Sequence, residues 1–412
     1  MTIRTINTCV FLCWFVTSFS VYSQPGFQGI VQTQFVLNDI EEPSYFNGGT
    51  GIIRHDSSDR LTISQALLSI SGDISSAWSY HAILNYTDSP KSHAGATQAF
   101  LKYKPLSAKD YRWEIRAGMF YPKFGFENPD VGWLSPYTYT NSAISSWIGE
   151  EVRTLGTEFQ ISFPGRTRRS PHSFALIGSL YKGNDPTGTL LAWRGWALHD
   201  RQSLTNEKVF FADYPTIGSG EILAPQSPWV EPFREVDGRF GYLMGAHWGY
   251  KQSFKSRYYY YNNNADETVL ARGGQYAWHT KFHSVAWQYR ANRNWRVIGH
   301  LMEGDTAMGP GAVHVDFSSW YLMANYRNQS HNASVRFDWF DTTDVDSLVP
   351  QDINDGQGNA LTYTYKYTID DHWQIGMEYV DVESHQRSRS QWPDKDEYLD
   401  QELLMAVTQY RF

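Results

Sequence analysis

The sequence predicts an all-β protein: a transmembrane antiparallel up-and-down β-barrel of about sixteen strands, with long extracellular loops and short periplasmic turns. Three observations predict it. Alternation of residue type recurs along the chain and ends in Leu404, Ala406, Thr408, Tyr410 and Phe412 on one face, with Met405, Val407, Gln409 and Arg411 on the other. A period of two sends strand side chains to opposite faces. Aromatic residues make up 16% of the 412 positions, including 27 Tyr and 16 Trp, yet mean hydropathy is −0.49. No stretch after the N-terminal segment approaches the ~20 apolar residues of a spanning helix. The spanning structure left is a closed barrel, in which every backbone N–H and C=O pairs internally. Alternation then explains the soluble-looking average, and the aromatics have a place as girdles at the two interfaces.

The N-terminal segment 1–23 has the layout of a secretory signal peptide: Arg4, an apolar stretch from Cys9 to Phe19, then Val21-Tyr22-Ser23. Both cysteines, Cys9 and Cys13, lie inside it, so residues 24–412 form a cysteine-free barrel domain without disulfides or thiol chemistry. Alternating segments fall near 27–37, 61–72, 78–87, 96–104, 112–119, 153–163, 172–182 and 240–250. They continue near 256–262, 276–290, 295–303, 315–327, 331–340, 360–369, 373–383 and 402–412. Short connections at 73–77, 105–111, 251–255, 291–294, 328–330 and 370–372 are expected as periplasmic turns. The even count puts both ends of the barrel on that side. Segment 183–239, a long extracellular loop, leaves room for one further hairpin. Segments 61–72 and 276–290 slip in phase and require a bulge.

The faces indicate which side meets lipid. In 331–340, Ala333, Val335, Phe337 and Trp339 oppose Asn332, Ser334, Arg336 and Asp338. In 360–369, Leu361, Tyr363, Tyr365 and Tyr367 oppose Thr362, Thr364, Lys366 and Thr368. An Arg or Lys on the lipid face at the midplane costs ~2–4 kcal/mol, so the polar sets are expected inward, facing water.

The segment Arg116-Ala117-Gly118-Met119-Phe120-Tyr121-Pro122-Lys123-Phe124-Gly125-Phe126-Glu127 follows a strand. Pro122 stops pairing because it lacks an N–H, and the glycines let the chain bend off the wall. Arg116, Gly118, Pro122, Phe124 and Gly125 match the junction before the third loop in the phosphate-selective porin O/P-like family, which the chain resembles here. The resemblance implies a homotrimeric sixteen-stranded channel whose third loop, 120–152, folds inward to constrict the pore. Likewise the final strand resembles the closing strand of bacterial outer-membrane barrels. In those proteins the terminal aromatic is part of the signal read by the barrel-assembly machinery, a role this likeness carries to Tyr410 and Phe412.

Lys123, Glu127, Glu150, Glu151 and Arg153 are the candidate constriction charges. Glu114, Arg116, Glu158, Arg336, Asp338, Lys366 and Glu378 are the candidate wall charges. Opposed rows of both signs would set a transverse field that favours polar solutes; equally, such charges could brace the wall as ion pairs. The acidic balance of the loop argues against phosphate as cargo. Trp193, Trp196, Phe210, Phe211, Tyr214, Trp229 and Phe233 in 183–239 read as a loop packed by its own aromatics, with a sugar-stacking platform as the alternative. Asp341, Asp344, Asp346, Asp352 and Asp355 do not have the spacing of a calcium loop, so no metal and no cofactor is expected. No GxSxG or HExxH motif occurs, and His279 and His283 have no serine in a nucleophile motif beside them. A net charge of −8 argues against nucleic acid. The expectation is a bacterial outer-membrane porin, not an enzyme, passing small polar or charged solutes amid outer-membrane lipid and lipopolysaccharide. A closed-lumen recognition or adhesion barrel and a glycan-selective channel are the alternatives.

Overall fold

The computed structural model describes residues 25–58, 60–88, 92–106, 110–217, 220–221, 223–346 and 353–412; the expected signal segment 1–23 and Asp352 lie outside them. Sixteen strands close into one barrel. They are β1 (Gly26–Val36), β2 (Leu61–Asp73), β3 (Trp78–Thr87), β4 (His93–Tyr103), β5 (Arg112–Phe120), β6 (Thr154–Phe163), β7 (His172–Lys182) and β8 (Gly241–Tyr250). The second half comprises β9 (Phe254–Asn262), β10 (Trp278–Arg290), β11 (Trp295–Met308), β12 (Val313–Asn328), β13 (His331–Asp344), β14 (Gly356–Thr368), β15 (Trp373–Gln386) and β16 (Tyr398–Arg411). Every strand pairs antiparallel with its sequence neighbours, and β1 pairs with β16 from Ile30↔Arg411 to Val36↔Met405. Closure leaves no free sheet edge, which a strand-built membrane protein requires. No helix among the described residues is long and apolar enough to cross a membrane.

Eight connections leave one rim: L1 (37–60), L2 (88–92), L3 (121–153), L4 (183–240), L5 (263–277), L6 (309–312), L7 (345–355) and L8 (387–397), all long except L2 and L6. Short turns and both barrel ends occupy the other rim, the periplasmic side of such a barrel. Phe412 completes the seam: its N–H donates to the Gly29 carbonyl at 3.1 Å, and its carbonyl accepts from the Gly29 N–H at 2.9 Å.

The strands of the second half run further toward the long loops than the alternation suggests, β13 to Asp344 and β15 to Gln386. Their added ends carry Asp341, Thr343 and His385 on the outer face, and in β15 these follow Asp381 and Glu383, so apolar–polar contrast fades while backbone pairing continues. The slip in 61–72 is a bulge, with Gln32 opposite Gln65 and Thr33 opposite Ile63. The slip in 276–290 has another cause: from Trp278 onward the register with β11 is unbroken. There Trp278, Phe282 and Ala286 are apolar yet point inward, so both faces look alike.

The lipid-facing sets are as expected on β13 and β14: Val335, Phe337, Tyr363, Tyr365 and Tyr367 are exposed outward, while Arg336, Asp338, Thr362 and Lys366 are buried inward. The expected water-filled polar interior differs from what is found. Each wall strand presents a buried inward side chain at mid-height, among them Gln32, Thr97, Ile177, Tyr259, Ser284, Met302, Tyr321, Arg336 and Met405. At mid-height over β7–β12 the inner face carries an apolar set, with Ile177, Leu243, Tyr261, Phe282, Met302 and Phe317 joined to loop residues in one core. L1, L3 and L4 fill the barrel there, and the core of this membrane protein lies inside its lumen.

Candidate functional site

L3 enters the lumen just past the end of β5, where Gly118 bends the strand and Pro122, lacking an N–H, cannot extend its pairing. Gly118 has φ +133°, and a Cβ there would lie 2.2 Å from the Ala99 carbonyl oxygen, so only glycine fits. Past Phe120 the chain turns in. Tyr121 stacks on Trp133 at 4.7 Å, and Phe124 packs edge-on to Tyr259 at 5.2 Å. The loop then runs along the inner wall of β13–β15 and forms helix α1 (Ala143–Glu151). Ser142 caps it, its hydroxyl accepting from the Ser145 N–H at 3.1 Å. Ala143, Ile144, Trp147 and Ile148 are buried, with Trp147 edge-on to Phe282 and Phe317.

A charged latch holds this loop to the wall. Arg336 on β13 donates to Glu127 at 2.9 Å, to Asp338 at 2.6 Å, and to the carbonyls of Thr140 and Asn141 at 2.8 and 2.9 Å. Glu127 also accepts from the Ser142 N–H and hydroxyl, while Asp338 accepts from the Ala143 N–H. Two carboxylates thus sit at the N-terminus of α1, where they complement its free N–H groups. On β15, Glu378 accepts from the N–H groups of Tyr139 and Thr140, each at 2.6 Å. On β14, Lys366 donates to the carbonyls of Ser135 and Thr138 and lies over the Tyr139 ring. Glu127, Arg336, Asp338, Lys366 and Glu378 are all buried. Such groups bind loop to wall and offer little to a passing solute.

The remaining sequence-derived residues separate into two sets. Glu150 and Glu151, at the end of α1, are fully buried against L4 rather than lining a passage. Glu150 pairs with Arg194 at 2.7 Å and approaches His199 at 3.2 Å. Burial would raise its pKa, but Arg194 and His199 hold it below the usual carboxylate range. Glu151 accepts three N–H groups, from the Trp147 indole at 2.7 Å and the backbone of Gly188 and Leu190 at 3.1 and 3.0 Å, just before and within helix α2 (Thr189–Arg194). Burial still pushes its carboxyl up to about 7. Arg153 is buried too, donating to the carbonyls of Ala96, Thr97 and Ser203 and lying over Phe233. L1 joins the same packing: the Leu198 N–H donates to the Ile52 carbonyl, and Arg54 pairs with Asp200. Among the L4 aromatics, Trp193, Trp196, Phe211 and Tyr214 are buried, whereas Phe210 is exposed.

The second set borders water at the periplasmic end. A cavity of about 580 Å³ is bounded by Phe100, Arg116, Lys123, Trp133, Lys255, Arg257 and Gln288. On its β4–β6 side charges are paired: Lys102 with Glu114 at 3.3 Å, and Arg116 with Glu158 through two bonds of 2.8 and 2.9 Å. The opposite side is different. Lys255 and Arg257 on β9, Arg290 on β10 and Arg296 on β11 point inward with Lys123 of L3. Among the described residues none of these five has a carboxylate within ion-pair distance. Arg257 donates to the Lys123 and Gly125 carbonyls and lies over Phe126; Arg296 donates to the Tyr137 hydroxyl. Of this basic group Lys123 is among the candidate constriction charges of the sequence. Lys255 and Arg257 carried a weak signal, their spacing of two at the start of β9.

Barrel, inward loop and vestibule together make a porin-like fold, that of bacterial outer-membrane barrels. No family model and no curated relative matches the sequence. Solved structures do match in fold. The outer membrane channel DcaP of Acinetobacter baumannii aligns over 94% of this chain and 97% of its own, with 10% identity and a TM-score of 0.53. OmpT, an outer membrane protein of Vibrio cholerae, aligns over 95% and 100%, with 7% identity and a TM-score of 0.50. OprB of Pseudomonas putida aligns over 94% of each chain, with 11% identity and a TM-score of 0.50.

Proposed function

We propose that this chain is an outer-membrane channel of the porin class whose resting conformation is closed by its own L1, L3 and L4, and which passes small polar solutes when L3 shifts. The observation that carries this reading is the basic vestibule at the turn end of the barrel, bordered by a loop held by polar contacts. A barrel used only for surface recognition would not require such an inner chamber. The five unpaired cations favour anions over cations, since Glu127, Glu150 and Glu151 of L3 are buried and its half-buried Asp130 is paired with Arg411; phosphate itself rests on the resemblance at Arg116–Gly125 alone. A trimer is supported by the trimer form in which the Vibrio cholerae OmpT has been solved. The reading assigns no residue a catalytic role. Planar-bilayer recording of the refolded protein tests it: ionic steps that are rare for the wild type and frequent when L3 is released are expected. The filled lumen favours one second reading, a closed barrel acting in recognition or adhesion. Silence of both wild type and L3-released variants, with a heat-modifiable barrel intact, would establish that reading instead.

A further inference from the structure

The outer surface of β7–β10 carries a depression that the channel reading does not use. Leu176, Ala246, Tyr258 and Val285 lie in one continuous row across the four strands, each the register partner of the next. Ala246 is the smallest of them, and together with Ser256 it floors a groove of about 280 Å³ walled by Phe174, Leu176, Trp248, Tyr258 and Val285. Its lining is almost wholly apolar, as suits an acyl chain rather than a headgroup.

At the periplasmic end of this groove the chemistry changes. The turn 164–171 brings Arg168 beneath the outward Phe163–Phe174 pair, its guanidinium 5.9 and 5.8 Å from the two rings and anchored to the carbonyls of Phe163 and His172. In the next turn Lys251 lies 5.2 Å from the ring of Tyr250, another outward residue, and its N–H donates to the Pro171 carbonyl. The Trp248 indole N–H donates to His172 Nδ1 at 3.2 Å, which fixes the aromatic floor between the two cations. Arg168 and Lys251 have no carboxylate partner among the described residues. Two free cations at the level of an aromatic girdle are where phosphodiester groups of the inner leaflet lie.

We propose that this surface is a binding site for an anionic phospholipid, with one acyl chain in the Leu176–Ala246–Val285 groove and the phosphodiester between Arg168 and Lys251. Apolar fit sets the position of the chain, and the paired cations select an anionic headgroup over a zwitterionic one. The proposal rests on the reading of the chain as an outer-membrane barrel, and heat-modifiable migration on a gel tests that reading separately.

The full-length protein, reconstituted in phosphatidylcholine vesicles with or without phosphatidylglycerol and then extracted, is assayed for retained lipid by native mass spectrometry. Retention of phosphatidylglycerol in preference to phosphatidylcholine is expected. Lys251→Glu should lower it about fivefold or more, the effect of about 1 kcal/mol per cation at an anionic surface. Ala246→Phe, which fills the groove, should lower it without changing surface charge. Arg293→Glu, on a different periplasmic turn, should leave it unchanged. Equal retention in all four proteins, or an equal loss with Arg293→Glu, would overturn the site. Disulfide-linked dimers of Ala246→Cys would also overturn it, by making a second copy the occupant. If Ala246→Phe does not fold, Lys251→Glu against Arg293→Glu still decides.

Discussion

Replacing Arg336 by Met should unlatch L3. In the closed barrel this guanidinium serves Glu127, Asp338, the Thr138 hydroxyl and two backbone carbonyls, all without contact with water. Met has a similar stem but no charge, so two carboxylates would remain buried without their cation. Breaking a buried pair in this way costs about 3–5 kcal/mol. At 1.4 kcal/mol per tenfold, the closed state loses a factor of about a hundred to several thousand against the open one. The barrel itself should survive, because its ladder and lipid-facing surface are untouched. Two readouts follow: open probability in planar bilayers, and maleimide labelling of Ala143→Cys, whose parent has cysteines only at Cys9 and Cys13. Both should rise by at least tenfold. Adding Glu127→Gln and Asp338→Asn to Arg336→Met should reverse much of the effect, since neutral amides no longer leave charge buried. Wild-type conductance and labelling in Arg336→Met would refute the latch, as would a triple variant no more closed than the single one.

Further outcomes are expected elsewhere in the lumen and at the seam. Lys255→Glu with Arg257→Glu should shift the reversal potential in a salt gradient toward cation preference; Glu150→Gln should leave it unaltered while loosening L4, and the opposite pattern would remove the vestibule from the conduction path. Burial holds Glu151 at about 7 against glutamate's ordinary 4.5. The docked state therefore binds more protons between these values, and docking of α1 on L4 weakens as pH rises from 4.5 through about 7, then levels. Proteolysis of L4 should be faster at pH 8 than at pH 5.5, and an unchanged pH dependence in Glu151→Gln would exclude this carboxyl. A Cβ at Gly29 would lie 1.9 Å from the Phe412 ring, so Gly29→Leu must displace the terminal aromatic. Its yield of assembled barrel should fall as far as that of Phe412→Ala, several-fold; normal assembly of both would remove Phe412 from the assembly signal.

The wall was legible because lipid imposes a one-residue rule. A side chain facing hydrocarbon must be apolar and its strand neighbour need not be, so Tyr363, Tyr365 and Tyr367 against Thr362, Thr364 and Lys366 show face and register without any knowledge of partners. The same rule failed where both faces are apolar, as at Phe282 and Val285 on β10, and where both are polar, as at the loop ends of β13 and β15. Gly118 and Pro122 marked the point where L3 leaves the wall, since backbone limits are also local.

What the charges do was decided by tertiary structure alone. Glu127 and Glu150 are chemically identical in the sequence to carboxylates that would line a pore, yet one meets Arg336 and the other Arg194 across 209 and 44 residues of chain. Whether an ionised group is a latch or a filter depends on whether its counter-charge reaches it and excludes water, and that is settled by distances between segments remote in the chain. By itself the sequence determined the barrel, a count of about sixteen strands, the lipid-facing surface of β13 and β14 and the closing strand at Phe412; the inward loop came from the resemblance at Arg116–Gly125. Only the packed barrel decided that the loops pack into the lumen, and that Lys123, Lys255, Arg257, Arg290 and Arg296 gather there without a carboxylate partner among the described residues.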